Sequence, residues 1–196
     1  NSTTRWSSRL IHGGLRYLEF GELGLVAESL QERSRLLRNA AHLVRPLQLF
    51  IPVYAHSRRG INTVDFGLWV YDLLSIGGGL PGHRRLSRDA ALVELPALNP
   101  EGLDGGILYH DAQVTFVERL VVENALAASA AGAVIRTRTT VERIVLEGNQ
   151  VQGVVLRDNH SGQSETLTAR AVVNAAGPWV DRVLAGADCA MPRFMG

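Results

Sequence analysis

With Cys189 as its one cysteine, the chain can close no internal disulfide, which fits a reducing compartment. Apolar runs are short as well. The best, residues 66–76, carries Asp72 and falls well below the ~20 residues needed to cross a bilayer. Charge of one sign is missing too, because 20 basic and 19 acidic side chains leave a net +1 and no global field to draw in nucleic acid. The six histidines (12, 42, 56, 83, 110 and 160) show no His-x-x-x-His spacing, and no Cys-x-x-Cys occurs, so no metal set is indicated. Without a Gly-x-Ser-x-Gly elbow or a Walker loop, hydrolase and NTPase chemistry have no anchor. There is no internal repeat or low-complexity tract. A hydrophobic share of 46% over 196 residues is enough for a core of one or two domains.

What is present is concentrated at one place. Ser7-Ser8-Arg9-Leu10-Ile11-His12-Gly13-Gly14-Leu15-Arg16-Tyr17-Leu18-Glu19 packs small hydroxyls, paired glycines, a histidine and an Arg-Tyr pair together. Adjacent glycines let backbone N–H groups approach a ligand closely, and the serines and Arg9 can donate to phosphate or ring carbonyl oxygens. Arg16 supplies a planar cationic fork, set between inward-facing Leu15 and Leu18, where a charge needs an anion to meet. On spacing alone the segment is equally a helix start capped by Ser8, with His12 donating to a backbone carbonyl and Arg16 paired to Glu19 or Glu22.

A second motif, Asn174-Ala175-Ala176-Gly177-Pro178-Trp179, follows the apolar run 171–175 and precedes a short helical pattern at 180–184. Strand, small-residue turn and helix form a nucleotide-binding corner in α/β folds, although tight strand-to-helix packing uses the same residues. Gly77-Gly78-Gly79-Leu80-Pro81-Gly82 formally satisfies the dinucleotide pattern, but Pro81 and the polar His83-Arg84-Arg85 offer no helix to face a pyrophosphate.

The run from Ser7 to Glu19 closely resembles the flavin- and substrate-contacting segment of the FAD-dependent (aerobic-type) glycerol-3-phosphate dehydrogenases, within the D-amino-acid-oxidase-like flavoproteins. Arg9 in place of a usual lysine is its one departure. The resemblance extends over residues 4–184, including Glu32-Arg33 and Tyr71-Asp72, and it implies the following. Ser7, Ser8, Arg9, Leu10, His12, Gly13 and Gly14 contact FAD, with His12 in flavin contact and not in proton transfer. Arg16 and Tyr17 line the substrate pocket near its phosphate end. Ala175, Ala176, Gly177 and Trp179 lie at the FAD ribose and pyrophosphate, with Val141 near the adenine. The reaction is oxidation of sn-glycerol 3-phosphate to dihydroxyacetone phosphate, a base taking the hydroxyl proton as hydride leaves C2, with electrons passing to a quinone. The catalytic base and the dinucleotide fingerprint are expected outside this chain. The implied location is cytoplasmic, peripheral on the inner face of the membrane. Residues 66–76 with Arg84, Arg85 and Arg88 are either an apolar patch with a basic flank or a core segment beside a solvated turn.

The expected fold is α/β, a partial FAD-binding Rossmann-like domain of the glutathione-reductase type interwoven with part of an α+β substrate domain. Residues 1–44 form the flavin-contacting segment and a helix, 45–110 part of the substrate domain, 111–186 the rest of the FAD domain, and 187–196 an unassigned tail. Periodicity predicts helices over 22–44, with Arg33 inside its apolar stripe, and over 111–132, with either Asp111 as a cap or Thr115 and Glu118 as a capping box. It predicts an edge or bent strand at 47–54 interrupted by Pro52, short strands at 134–138, 141–147, 151–157 and 165–168, and a strand at 171–175. The abrupt start at Asn1 and stop at Gly196 read as an internal segment of a longer protein, inactive alone. The competing readings are another flavin-dependent amine or amino-acid oxidase of the same superfamily, and a non-catalytic module or decayed pseudogene product.

Overall fold

The structure, a computed structural model, describes residues 3, 4, 6–148 and 150–186. The unassigned tail at 187–196, with Cys189, and Asn149, between the predicted strands 141–147 and 151–157, lie outside the described residues. The chain divides into two compact units, Asn1–Asn124 and Ala125–Gly196.

In the first unit the sheet is organised by one long strand. The elements run β1 (Leu10–Ile11), a 3-10 turn (Leu15–Phe20), α1 (Leu23–Asn39), β2 (Val44–Tyr54), α2 (Ile61–Leu74), β3 (Arg84–Ser87), α3 (Arg88–Glu94) and β4 (Leu103–Val114). β4 pairs antiparallel with β2 on one side and with β1 and β3 on the other, so among the described residues β2 is an edge strand, in keeping with Pro46 and Pro52. Val26 and Leu30 of α1 meet Leu68 and Tyr71 of α2 and Ile107 of β4 in one core cluster. Leu15 and Leu18 pack against it, which fixes the 3-10 turn that carries Arg16. A second cluster gathers Ala40, Leu43, Val44, Ala112 and Val114. The predicted helix over 22–44 stops at Asn39, because Val44 pairs with Val114 and is drawn into that cluster as a strand residue.

Residues 111–114 belong to β4, not to the predicted helix over 111–132, and Asp111 is a buried strand residue instead of a cap; α4 spans Val117–Ala130. A central strand is buried on both faces and so lacks the alternation that marks a half-buried one. The glycine-rich run at 77–82 is a loop leading into β3, with no helix after it, in agreement with its rejection as a dinucleotide fingerprint.

The second unit is built on the expected meander, β5 (Thr139–Glu147), β6 (Gln150–Asp158) and β7 (Ser164–Thr168), all antiparallel. Ile144, Val154 and Leu156 form its core, with Val172, Val183 and Leu184 packed against them. Two expected strands are absent: 134–138 and 171–175 have no strand partner among the described residues, and β-branched side chains cannot hold a strand without a hydrogen-bonded neighbour. A 3-10 turn, Gly177–Trp179, leads into α5 (Val180–Leu184).

Candidate functional site

The glycine pair sits where it does because a side chain there would have no room. A Cβ on Gly13 would fall 2.4 Å from Leu30 Cδ2 and 2.6 Å from the Tyr71 hydroxyl, so the backbone lies directly on α1 and α2. Gly14 adopts φ 71° and ψ 49°, the left-handed region in which a side chain is strained, and turns the chain into the 3-10 segment. The Gly13 N–H donates to Tyr71 Oη at 2.8 Å, and the Gly14 N–H donates to His12 Nδ1 at 3.0 Å. His12 therefore accepts through Nδ1, where the sequence suggested a ring donating to a carbonyl. In its neutral form the ring proton sits on Nε2.

Beneath these glycines lies a buried polar cluster. Tyr71 Oη donates to Asp111 Oδ1 at 2.8 Å, and Arg33 Nη1 meets the same oxygen at 2.6 Å. Arg33, Tyr71 and Asp111 are 1%, 1% and 2% exposed. Arg33 Nη1 also donates to the His110 carbonyl at 3.2 Å, and its guanidinium lies 5.8 Å from the centre of the Tyr71 ring. Burial, and then the Asp111 carboxylate, push the Tyr71 phenol far above its ordinary range, so it stays protonated as a donor. Tyr109, edge-on to Tyr71, is pushed up to about 12 by burial and then by Asp111.

On the surface above the cluster, β1 has β4 as its one strand neighbour among the described residues. Leu10, Ile11 and His12 border an open cleft of about 430 Å³ together with Glu28, Glu32 and Arg33. A larger cleft of about 640 Å³ is bordered by Arg16, Glu19, Ile51, Arg59, Val64 and Phe66. Glu19 pairs with Arg59, not with Arg16, and Arg16 has no ion-pair partner among the described residues. The unit thus presents an unpaired guanidinium on a largely apolar wall, directly after the glycine turn.

The other predicted residues are distributed as follows. Ser7 and Ser8 are exposed, the Ser7 hydroxyl donating to the Thr4 carbonyl. Arg9, at φ 60°, ties its guanidinium to the Thr115 carbonyl at 2.9 Å. Tyr17 is half exposed with its ring against the face of Gly14. In the second unit, Val141 is on β5 beside an irregularity in the β5–β6 register. Asn174 shapes the turn after it: its Oδ1 accepts from the Ala176 N–H at 3.2 Å and its Nδ2 donates to the Val180 carbonyl at 3.0 Å. Ala175, Ala176 and Gly177 lie on that turn, Gly177 at φ 57°, and Trp179 is half exposed. Sequence reasoning missed Asp111, Tyr71 and Arg59 as members of these clusters. Arg33 within the apolar stripe of α1 was the available signal for the first, since a buried cation needs a buried anion. Arg59 left none.

A glycine ribbon beside β1, backed by a buried polar core and followed two residues later by an arginine with no ion-pair partner among the described residues, borders two open clefts. Comparison with known proteins gives the class its name: the chain belongs to the FAD dependent oxidoreductase family, whose model matches residues 1–194. It is 45% identical over 186 residues to a glycerol-3-phosphate dehydrogenase of Synechocystis, covering 93% of this chain and 34% of that protein. It is 38% identical over 188 residues to one of Mycobacterium leprae, covering 94% and 32%. The glycerol-3-phosphate dehydrogenase of Bacillus halodurans, solved with FAD, superposes with a TM-score of 0.61 at 27% identity over 92% of this chain and 28% of that one. The chain spans about a third of the length of these relatives. The mixed helix-and-sheet fold resembles FAD-binding members of the family, in line with the α/β class expected. Among the described residues no helix is long and apolar enough to cross a membrane and no cluster of metal ligands occurs.

Proposed function

We propose that this chain is the part of an FAD-dependent glycerol-3-phosphate dehydrogenase that lays residues 7–14 along the flavin and presents Arg16 and Tyr17 to the substrate phosphate. The observation that carries this reading is Arg16, unpaired on the wall of the 640 Å³ cleft two residues after the Gly14 turn, in a chain 45% identical to a protein of that name. The residues fit the cofactor: Gly13 and Gly14 bring bare backbone to the open edge of β1, and a side chain at either would collide with its neighbours. Leu10 and His12 border the adjoining cleft, and Ser7, Ser8 and Arg9 supply donors beside it. Val141 and the turn of Ala175, Ala176, Gly177 and Trp179 are assigned to the adenosine end.

Bound FAD supplies an acceptor for the hydride released as a secondary alcohol becomes a ketone. This chain's own part is binding and orientation. Arg16 offers two parallel N–H donors to the phosphate, and the apolar walls formed by Leu15, Ile51 and Val64 border the rest of the cleft, so the two together orient the substrate. Passage of electrons to a quinone, and peripheral contact with the cytoplasmic face of the membrane, belong to the same reading. Support for the contact comes from α2 and the turn after it, where Phe66, Trp69 and Leu73 of the helix and Ile76 of the turn are exposed apolar residues. The division into flavin-contacting (1–44 and 111–186) and substrate-side (45–110) segments is part of the proposal.

Arg16→Ala in the holoenzyme tests it. Loss of a charge-assisted contact, ~1.5–3 kcal/mol, lowers kcat/KM for glycerol 3-phosphate by roughly 10- to 150-fold. The loss falls mainly on KM, and flavin content stays unchanged. A wild-type flavin that amino acids reduce and glycerol 3-phosphate does not would overturn the substrate assignment.

A further inference from the structure

We infer that Tyr71 is a positioning residue for the flavin-contacting ribbon: its hydroxyl, oriented by Asp111 and Arg33, holds the Gly13 amide and with it residues 12–14. The inference rests on the proposed function, which lays those residues against FAD. No part of it requires Tyr71 to touch cofactor or substrate.

The direction of the hydrogen bonds is set by chemistry. A backbone N–H can only donate, so at Gly13 the phenol oxygen must accept, and its single proton is left for Asp111 Oδ1. The same Asp111 oxygen also accepts from the Arg33 guanidinium at 2.6 Å. The result is a one-way chain, Gly13 N–H to Tyr71 Oη–H to Asp111, with Arg33 closing the far end. It crosses four parts of the unit, the loop after β1, α2, β4 and α1, so the ribbon is referenced to three core elements at once. His12 adds a second tie, its Nδ1 accepting from the Gly14 N–H. Of the two consecutive amides, that of Gly13 is committed to the core and that of Gly14 to the ribbon's own His12.

Stability does not account for this arrangement. One of the cluster's buried nitrogens, Arg33 Nε, has no hydrogen-bond partner among the described residues, and buried ion pairs often stabilise no better than apolar residues of the same volume. What an apolar set could not supply is an acceptor at a fixed point for the buried Gly13 amide, 2.8 Å away. Orientation of the ribbon is the property that needs the phenol.

The test compares Tyr71→Phe and His12→Ala with wild type in the holoenzyme, stripped of flavin and retitrated. FAD affinity is read by fluorescence quenching and the flavin environment by the visible absorption band. Tyr71→Phe keeps the ring and its packing but leaves the Gly13 N–H without an acceptor. It is expected to weaken FAD binding about tenfold and to shift the band, while kcat for reloaded enzyme changes less than FAD affinity. His12→Ala probes the ribbon itself. If it changes affinity and band while Tyr71→Phe matches wild type in both, the positioning role is overturned and the flavin assignment stands. If His12→Ala leaves both unchanged, the ribbon does not meet flavin and both fall. Amide hydrogen exchange of wild type provides a test that does not depend on any variant folding: Gly13 and Gly14 should exchange as slowly as the β4 core, and exchange at the rate of the exposed 77–82 loop overturns the proposal.

Discussion

Removing one member of the Arg33–Asp111 pair should cost far more than removing both. The pair is 2.6 Å long with both side chains at most 2% exposed, so in Asp111→Leu the guanidinium loses its counter-ion and Tyr71 loses the acceptor for its proton. A stranded buried charge costs ~3–5 kcal/mol, a large share of a domain's whole stability. With a urea m-value of about 2 kcal/mol/M, that displaces the unfolding midpoint by roughly 2 M. Arg33→Met alone should do nearly as much, since it leaves the carboxylate unpaired beside the Tyr71 ring. In the double variant Arg33→Met/Asp111→Leu neither charge remains to be stranded, so stability should return most of the way to wild type, short of it by the unpaired Tyr71 hydroxyl, ~1–3 kcal/mol. Urea unfolding followed by tryptophan fluorescence and by circular dichroism reads the cycle. Costs of the two single variants that simply add in the double would refute the account, because additivity means the charges do not sense one another. A single-variant cost below about 1 kcal/mol would refute it from the other side, placing the pair in water-like surroundings.

Two further outcomes follow from the same geometry. The folded-state phenol of Tyr71 titrates above its unfolded value of 10.0, so its contribution is fully present below pH 10 and declines as pH rises beyond it, by ~1.4 kcal/mol per pH unit. Tyr109, pushed up to about 12, adds to the slope only as far as pH 12, and stability measured against pH from 9 to 12 should fall less steeply in Tyr71→Phe; parallel curves would remove Tyr71 as a cause. In the second unit, Asn174→Ala deletes two hydrogen bonds that shape the turn at 174–180, about 0.5–1.5 kcal/mol each, and should weaken FAD binding roughly tenfold by equilibrium titration, with unchanged affinity counting against this turn as a cofactor contact.

Legibility in the sequence tracked the range of the interaction. The edge character signalled by Pro52, the meander over 139–168 and the failure of 77–82 as a dinucleotide fingerprint are all consequences of residues near one another in sequence, and each appears in the structure. Pairing was not legible. Val44 belongs by spacing to the helix before it, and only its register with Val114 makes it a strand residue. Residues 111–114 read as a helix because β4, covered on both faces, spaces its apolar residues without the alternation of an exposed strand. The run 171–175 has the composition of a strand but no neighbour among the described residues to bond with.

The buried cluster marks that limit most sharply. Arg33 in the apolar face of α1 announces that some anion must lie opposite, yet Asp111 is 78 positions away and has the local look of a helix cap, so nothing short of the β4 register could join them. The glycine pair behaves in the same way. Its sequence states that backbone must come close to something, and resemblance points to a flavin on the outer side. The structure adds a requirement on the inner side, where Leu30 and Tyr71 leave no room for a Cβ at Gly13. One residue thus answers two demands, and this predicts how substitution there should fail. Gly13→Ala would perturb the core as well as the ribbon, whereas a change at Tyr71 that spares the ring would disturb the ribbon and leave the core nearly whole. The two effects separate only because the phenol oxygen is a hydrogen-bonding atom at the end of an otherwise apolar contact.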